Sequence, residues 1–146
     1  MVKDSLKVKG DVKVVVYDEN QFVKDAREIN NLVVATGKDY IAQRMTANTT
    51  NIMSHMAVGS GNVTPTTSDT TLNTETDRIV LDSTSVTSNV ITYVTTYPAG
   101  NATGTIAEAG IFNAGSGGTM LCRTNFNEVN KGASDVIVIT WNITVQ

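Results

Sequence analysis

The sequence has 146 residues and a formal net charge of −3. That length suits one domain with a hydrophobic core of its own. The acidic balance argues against a nucleic-acid partner, which demands clustered positive charge. One cysteine, Cys122, cannot close an intrachain disulfide, and with a single histidine, His55, a zinc site of nitrogen and sulfur ligands has almost nothing to draw on. The N-terminus has no apolar run of the kind that opens a signal peptide, and no stretch approaches the ~20 apolar residues of a membrane helix. Neither secretion nor membrane insertion is expected. Four Asn-X-Thr sequons, beginning at Asn48, Asn62, Asn101 and Asn142, follow from a composition rich in both residues.

Aromatic residues make up only 5%, whereas threonine fills 22 positions. Val, Ile, Leu and Met must therefore build the core, and the excess of β-branched residues favours strands. The chain opens with Lys3, Lys7, Lys9 and Lys13 interleaved with Asp4 and Asp11. Residues 1–11 read as an N-terminal arm, and 12–146 as the folded domain. The lysines suit a solvated edge strand that blocks unwanted pairing, or an arm docking on an acidic partner.

Residues 12–17, VKVVVY, read as a strand, 18–20 as a turn, and 21–24 as the start of a return. A second apolar run covers 29–34. The period then changes. Residues 36–45 contain good helix formers, with Thr36 as N-cap, and Tyr40, Ile41, Arg44 and Met45 share one face. This predicts one short helix near residues 37–46. An apolar strand at 52–58 ends at Gly59-Ser60-Gly61, and 62–77 read as a long polar loop. Further strands are expected at 78–81, 90–97, 105–113 and 120–126, with a glycine-rich turn at 114–118 and a further turn at 130–135.

The last strand, 136–145, is the clearest. Ile137, Ile139, Trp141, Ile143 and Val145 alternate with Thr140, Asn142 and Thr144. Period-2 alternation places Trp141 on a buried face, in an antiparallel sheet with its other face in solvent. Seven or eight strands with regular turn signals indicate a mostly β fold. The expected architecture is a single antiparallel β-sandwich, of jelly-roll or immunoglobulin-like topology.

The residues carry no recognisable catalytic constellation. His55 has no marked nucleophile or orienting acid beside it, and reads as a packed or surface histidine. Cys122 reads as a buried, inert thiol. Asp69, Glu75 and Asp77 share one region but match no calcium-loop spacing. No cofactor and no metal are expected, and no enzymatic activity. Glu108 is the anomaly, because it stands between apolar neighbours on both sides in 106–112. Such a charge needs a partner. Arg78, Arg123, or the backbone amides of a glycine turn near 59–61 or 115–118 would serve.

A set of motifs resembles virion structural proteins of tailed bacteriophages. It comprises Met56-Ala57-Val58-Gly59-Ser60-Gly61, Thr64-Pro65, Leu72-Asn73-Thr74-Glu75 and Arg78. To these add Ile106-Ala107-Glu108-Ala109-Gly110-Ile111-Phe112-Asn113, Gly118-Thr119-Met120-Leu121, Arg123 and the closing Ile139-Thr140-Trp141-Asn142-Ile143-Thr144. A similar Glu-aliphatic-Gly-aliphatic-Phe run occurs near the N-termini of phage tail-fibre proteins. The resemblance implies a non-enzymatic virion protein, homo-oligomeric, partnered by the major capsid protein or another virion protein. The chain's size, without coiled coil, fibrous repeat or distal tip, sets the expectation of a capsid decoration (cement) protein. The alternative is a short tail-fibre, collar or baseplate attachment protein. A carbohydrate-binding module is a third reading. Glu108, Trp141 and the lysines Lys3, Lys7 and Lys9 are the candidate structural and interaction residues.

Overall fold

The computed structural model describes residues 4–46 and 50–146, which leaves Lys3 outside the described residues. Ten strands and one helix are present among them. The strands are β1 (Val8–Tyr17), β2 (Val23–Asn30) and β3 (Leu32–Val33), then, after the helix α1 (Ala35–Arg44), β4 (His55–Gly59), β5 (Glu75–Val80) and β6 (Ser83–Thr87). The chain finishes with β7 (Val90–Tyr97), β8 (Gly104–Phe112), β9 (Met120–Lys131) and β10 (Val136–Val145). They form two five-stranded antiparallel sheets. Sheet A has the order β2-β1-β10-β7-β6, and sheet B the order β3-β9-β8-β4-β5. The expected β-sandwich is therefore present. Its first strand lies beside its last, unlike the immunoglobulin constant-type order, in which those two strands belong to different sheets.

The core forms where the inner faces meet. In sheet A, Val12 on β1, Trp141 on β10 and Tyr93 on β7 stand in one cross-strand row, and Val16, Ile137 and Tyr97 in another. All six are buried, and Trp141 is wholly so. The alternation in β10 thus does what its pattern predicts: Ile137, Ile139, Trp141 and Ile143 are buried while the residues between them are half-exposed. Sheet B answers with Met56 and Val58 from β4, Ile106 and Ile111 from β8, and Cys122 and Phe126 from β9.

Several boundaries differ from expectation, each for a physical reason. β1 starts at Val8 and lies between β2 and β10, so residues 8–11 of the expected arm belong to the sheet and the lysine-bearing strand is not an edge. The helix starts at Ala35 with Val34 as its N-cap residue and no side-chain cap. The hydroxyl of Thr36 instead donates to the Met120 carbonyl (3.1 Å), because β9 runs beside the helix. The polar loop is shorter than expected, since residues 75–77 join β5. β6 was not legible at all: its five residues are exposed on both faces, so no apolar alternation marks it.

Candidate functional site

Sheet B buries its outer face as well as its inner one. Cross-strand register sets Arg78 (β5), Ala57 (β4), Gly110 (β8) and Arg123 (β9) in a single row on that outer face. The two central residues are small, and Leu72, from the segment 60–74, seats on them. A Cβ added to Gly110 would lie 3.0 Å from the Leu72 Cδ2 atom. Leu72 joins Val34, Ala57, Phe112 and Met120 in a second, smaller apolar cluster. The segment 60–74 thus folds back as a strap across sheet B, with an arginine on either side.

Glu108 locks this strap. It lies on β8 two residues from Gly110, and therefore on the same outer face. Its side chain is fully buried. Oε1 accepts from the amides of Gly61 (3.1 Å) and Thr74 (2.6 Å), and Oε2 from the amide of Asn73 (2.9 Å). The Arg123 guanidinium donates to Oε2 through Nη2 (2.8 Å) and Nε (3.3 Å). Both ends of the strap, at Gly61 and at Asn73-Thr74, are thereby tied to one carboxylate. Gly61 makes the approach possible, since a Cβ there would sit 2.4 Å from Oε1.

Arg123 carries the tie outward. Its Nη1 donates to Asp69 Oδ2 (2.7 Å) and its Nη2 to the Val63 carbonyl (2.8 Å), which pins the middle of the strap. Asp69 also accepts from the amide (2.9 Å) and hydroxyl (2.8 Å) of Thr66. Burial raises the Asp69 pKa, but the Thr66 and Arg123 hydrogen bonds outweigh it and hold the carboxyl below its ordinary value. On the other side, Arg78 grips Glu75 with both arms of its fork (2.8 and 2.7 Å). It also donates to the carbonyls of Ala114 (3.0 Å) and Gly117 (2.9 Å), and stacks 3.7 Å over the Phe112 ring. One arginine thus ties β5 to the glycine-rich β8–β9 turn.

A second buried cation was not anticipated from sequence. Lys131, at the end of β9, is fully buried and donates to the Pro98 carbonyl (3.0 Å). Burial lowers its pKa. Nearby, Asp135 accepts from Lys24 (2.6 Å) and from the Gly132 amide (2.7 Å), and these bonds hold its carboxyl below the ordinary value. The sequence reads 130–135 only as a polar turn, and nothing in that pattern signals a buried cation.

The other sequence candidates lie elsewhere. Trp141 is at the centre of sheet A's inner face, with no partner for its Nε1 among the described residues. Lys7 is exposed, just before β1, and its backbone pairs with that of Gln146. Lys9 is exposed on β1, opposite Thr144 and 4.0 Å from Asp11. The structure does not bring these lysines to the Glu108 clasp. His55 contacts the Ser54 hydroxyl (2.8 Å). Cys122 is buried, which pushes its thiol pKa well up. Asp69, Glu75 and Asp77 do not converge, because each has its own partner: Arg123, Arg78, and the amides of Arg78 and Asn101.

Chemically, the clasp binds the protein to itself. Three amides and a guanidinium occupy both oxygens of Glu108, so little acceptor capacity remains for a substrate proton. The family model for the N-terminal region of phage tail-collar fibre proteins matches residues 26–144. The chain belongs to this family. No curated protein and no solved structure matches it. The tail-collar fibre match runs from β2 to β10, through both sheets, the strap, Glu108, Arg123 and Trp141. It makes the protein a phage structural component of the virion. Lys7, Lys9 and all of β1 precede the matched region. No helix among the described residues is long and apolar enough to cross a membrane.

Proposed function

We propose that this domain is a structural block of the phage tail collar or tail fibre, mounted on neighbouring virion proteins, and not a cement protein of the head shell. The observation that carries the reading is the tail-collar fibre match over residues 26–144. The cement expectation rested on size alone, and size does not distinguish one place on a particle from another. The geometry suits the attachment role. A sandwich whose long strap is tied down by Arg123 and a buried carboxylate keeps its surface shape under strain, which a joint between virion proteins requires.

A carbohydrate-binding role fits less well. Glycan recognition by a β-sandwich would rely on exposed rings, and here Trp141, Tyr93 and Tyr97 all lie in the core. The domain acts without enzymatic chemistry and assembles as a homo-oligomer on its virion partners. Gold-labelled antibody against this protein, imaged on intact particles by electron microscopy, tests the location. Label confined to the collar or tail is the expected result; label spread in many copies over the head would restore the cement reading.

A further inference from the structure

The inner face of sheet A is larger than sheet B covers. At the end where β1 begins and β10 finishes, Val8 pairs with Val145, and Ile143 with Ile91 on β7. Ile143 closes the core at this end, and the partly buried Val8, Val145 and Ile91 form with it the floor of a cleft. Helix α1 forms its wall through Tyr40, Ile41 and Arg44, and the cleft continues past Ile41 and Val8 to Met45 and Leu6. Leu6 is 71% exposed and Met45 82%. Two large apolar side chains thus stand in water beside an apolar trough, where a partner would remove their surface from water.

The charge around this cleft is of one sign. Lys7, Lys38 and Arg44 line it, and no carboxylate does among the described residues. Among the described residues neither lysine forms an ion pair there, and Arg44 donates only to the Thr50 carbonyl (3.0 Å). In a chain of net charge −3, a cationic rim around an exposed apolar floor is a local exception. We infer that this cleft between α1 and the β1/β10 end of sheet A is the docking groove for a short acidic segment of a neighbouring virion protein. That segment's large apolar side chains enter the trough, and its Asp or Glu residues meet Lys7, Lys38 and Arg44. The apolar contact supplies affinity and the charges supply orientation, as in other groove-bound peptides. A second copy of this chain is a poorer occupant, because two copies of this face would bring their cationic rims together.

The inference rests on the attachment reading and names the chemistry of the partner, yet its test is independent of where the protein sits on a particle. The probe is a fluorescein-labelled peptide with Leu at every third or fourth position and Glu elsewhere, compared with the same peptide carrying Lys for Glu. Anisotropy titration of the wild-type protein should show saturable binding of the acidic peptide. The basic peptide should bind at least about tenfold more weakly, and added salt should weaken the acidic complex. Met45→Glu and Leu6→Glu alter exposed side chains and should abolish binding while circular dichroism stays unchanged. A Lys7→Glu/Lys38→Glu double variant should exchange the preference between the two peptides. The proposal is overturned if the acidic peptide fails to saturate, or if the double variant binds both peptides as wild type does. It is also overturned if sedimentation shows a dimer that Met45→Glu dissolves, because the occupant is then a second copy.

Discussion

Replacing Glu108 by glutamine isolates the contribution of the clasp. Glutamine has nearly the same shape but only one acceptor oxygen, and it must present an NH2 group where the other oxygen stood. If the NH2 replaces Oε1, it faces the amides of Gly61 and Thr74, so donor meets donor twice. If it replaces Oε2, it faces the Asn73 amide and the Arg123 guanidinium. Either way Arg123, only 2% exposed, loses its buried counter-charge. Removing one member of a buried ion pair typically costs 3–5 kcal/mol, and losing a charged hydrogen bond about 1.5–3. Arg123 keeps Asp69 and the Val63 carbonyl, so the lower end of the pair range applies. The expected loss is about 3 kcal/mol, a large part of the 5–15 kcal/mol that holds a typical domain. At roughly 3 °C per kcal/mol for a chain of this size, the melting temperature should fall by about 9 °C. Trp141, the sole tryptophan, is fully buried and makes urea unfolding directly visible by fluorescence. A Glu108→Gln midpoint and slope within error of wild type would refute the claim that this carboxylate holds the strap in place.

Trp141→Ala should cost about 3–5 kcal/mol through lost burial and a residual cavity, whereas Thr140→Ala, on the half-exposed face, should cost under about 1; equal melting temperatures would overturn the face assignment. Trp141→Phe should cost much less than Trp141→Ala, because it also removes an indole N–H that has no partner among the described residues; calorimetry of the pair checks this. Gly61→Ala should destabilise by about 1–3 kcal/mol, since its Cβ would stand 2.4 Å from Glu108 Oε1 and push the strap off the sheet. Faster cleavage of the 60–74 segment by a protease would report the same event. Asp69 and Asp135 both have pKa values held below the ordinary 3.8. Their stabilisation is therefore fully present above that value and is lost as pH falls through their lowered folded-state values. Denaturant midpoints should drop below about pH 4, and Asp135→Asn should flatten that drop; an unchanged acid slope would show that the Lys24 and Gly132 bonds do not survive in solution.

The strands with strong local patterns were legible from sequence. The alternation of Ile137, Ile139, Trp141 and Ile143 needs no knowledge of neighbours, because a strand's own two-residue period assigns the faces. The oddness of Glu108 was equally local, a charge between apolar residues, and both Arg123 and the Gly61 amide were among its foreseeable partners. The choice between Arg78 and Arg123 was not local. Cross-strand register put the two arginines on either side of Ala57 and Gly110, and the strap then brought Asn73 and Thr74 over one of them. Nothing in the run 62–77 marks it as a covering element, since Leu72 is its single buried apolar side chain and its other anchors are polar. β6 was hidden because a strand exposed on both faces has no pattern, and only its pairing with β7 defines it. Thr36 had the chemistry of a helix cap, but the helix begins before it, at Ala35, and its hydroxyl donates to the Met120 carbonyl of β9 instead. The cationic cleft is the furthest from sequence. Lys7, Lys38 and Arg44 are separated along the chain, and they share a rim only because the first and last strands pair and α1 packs across their ends.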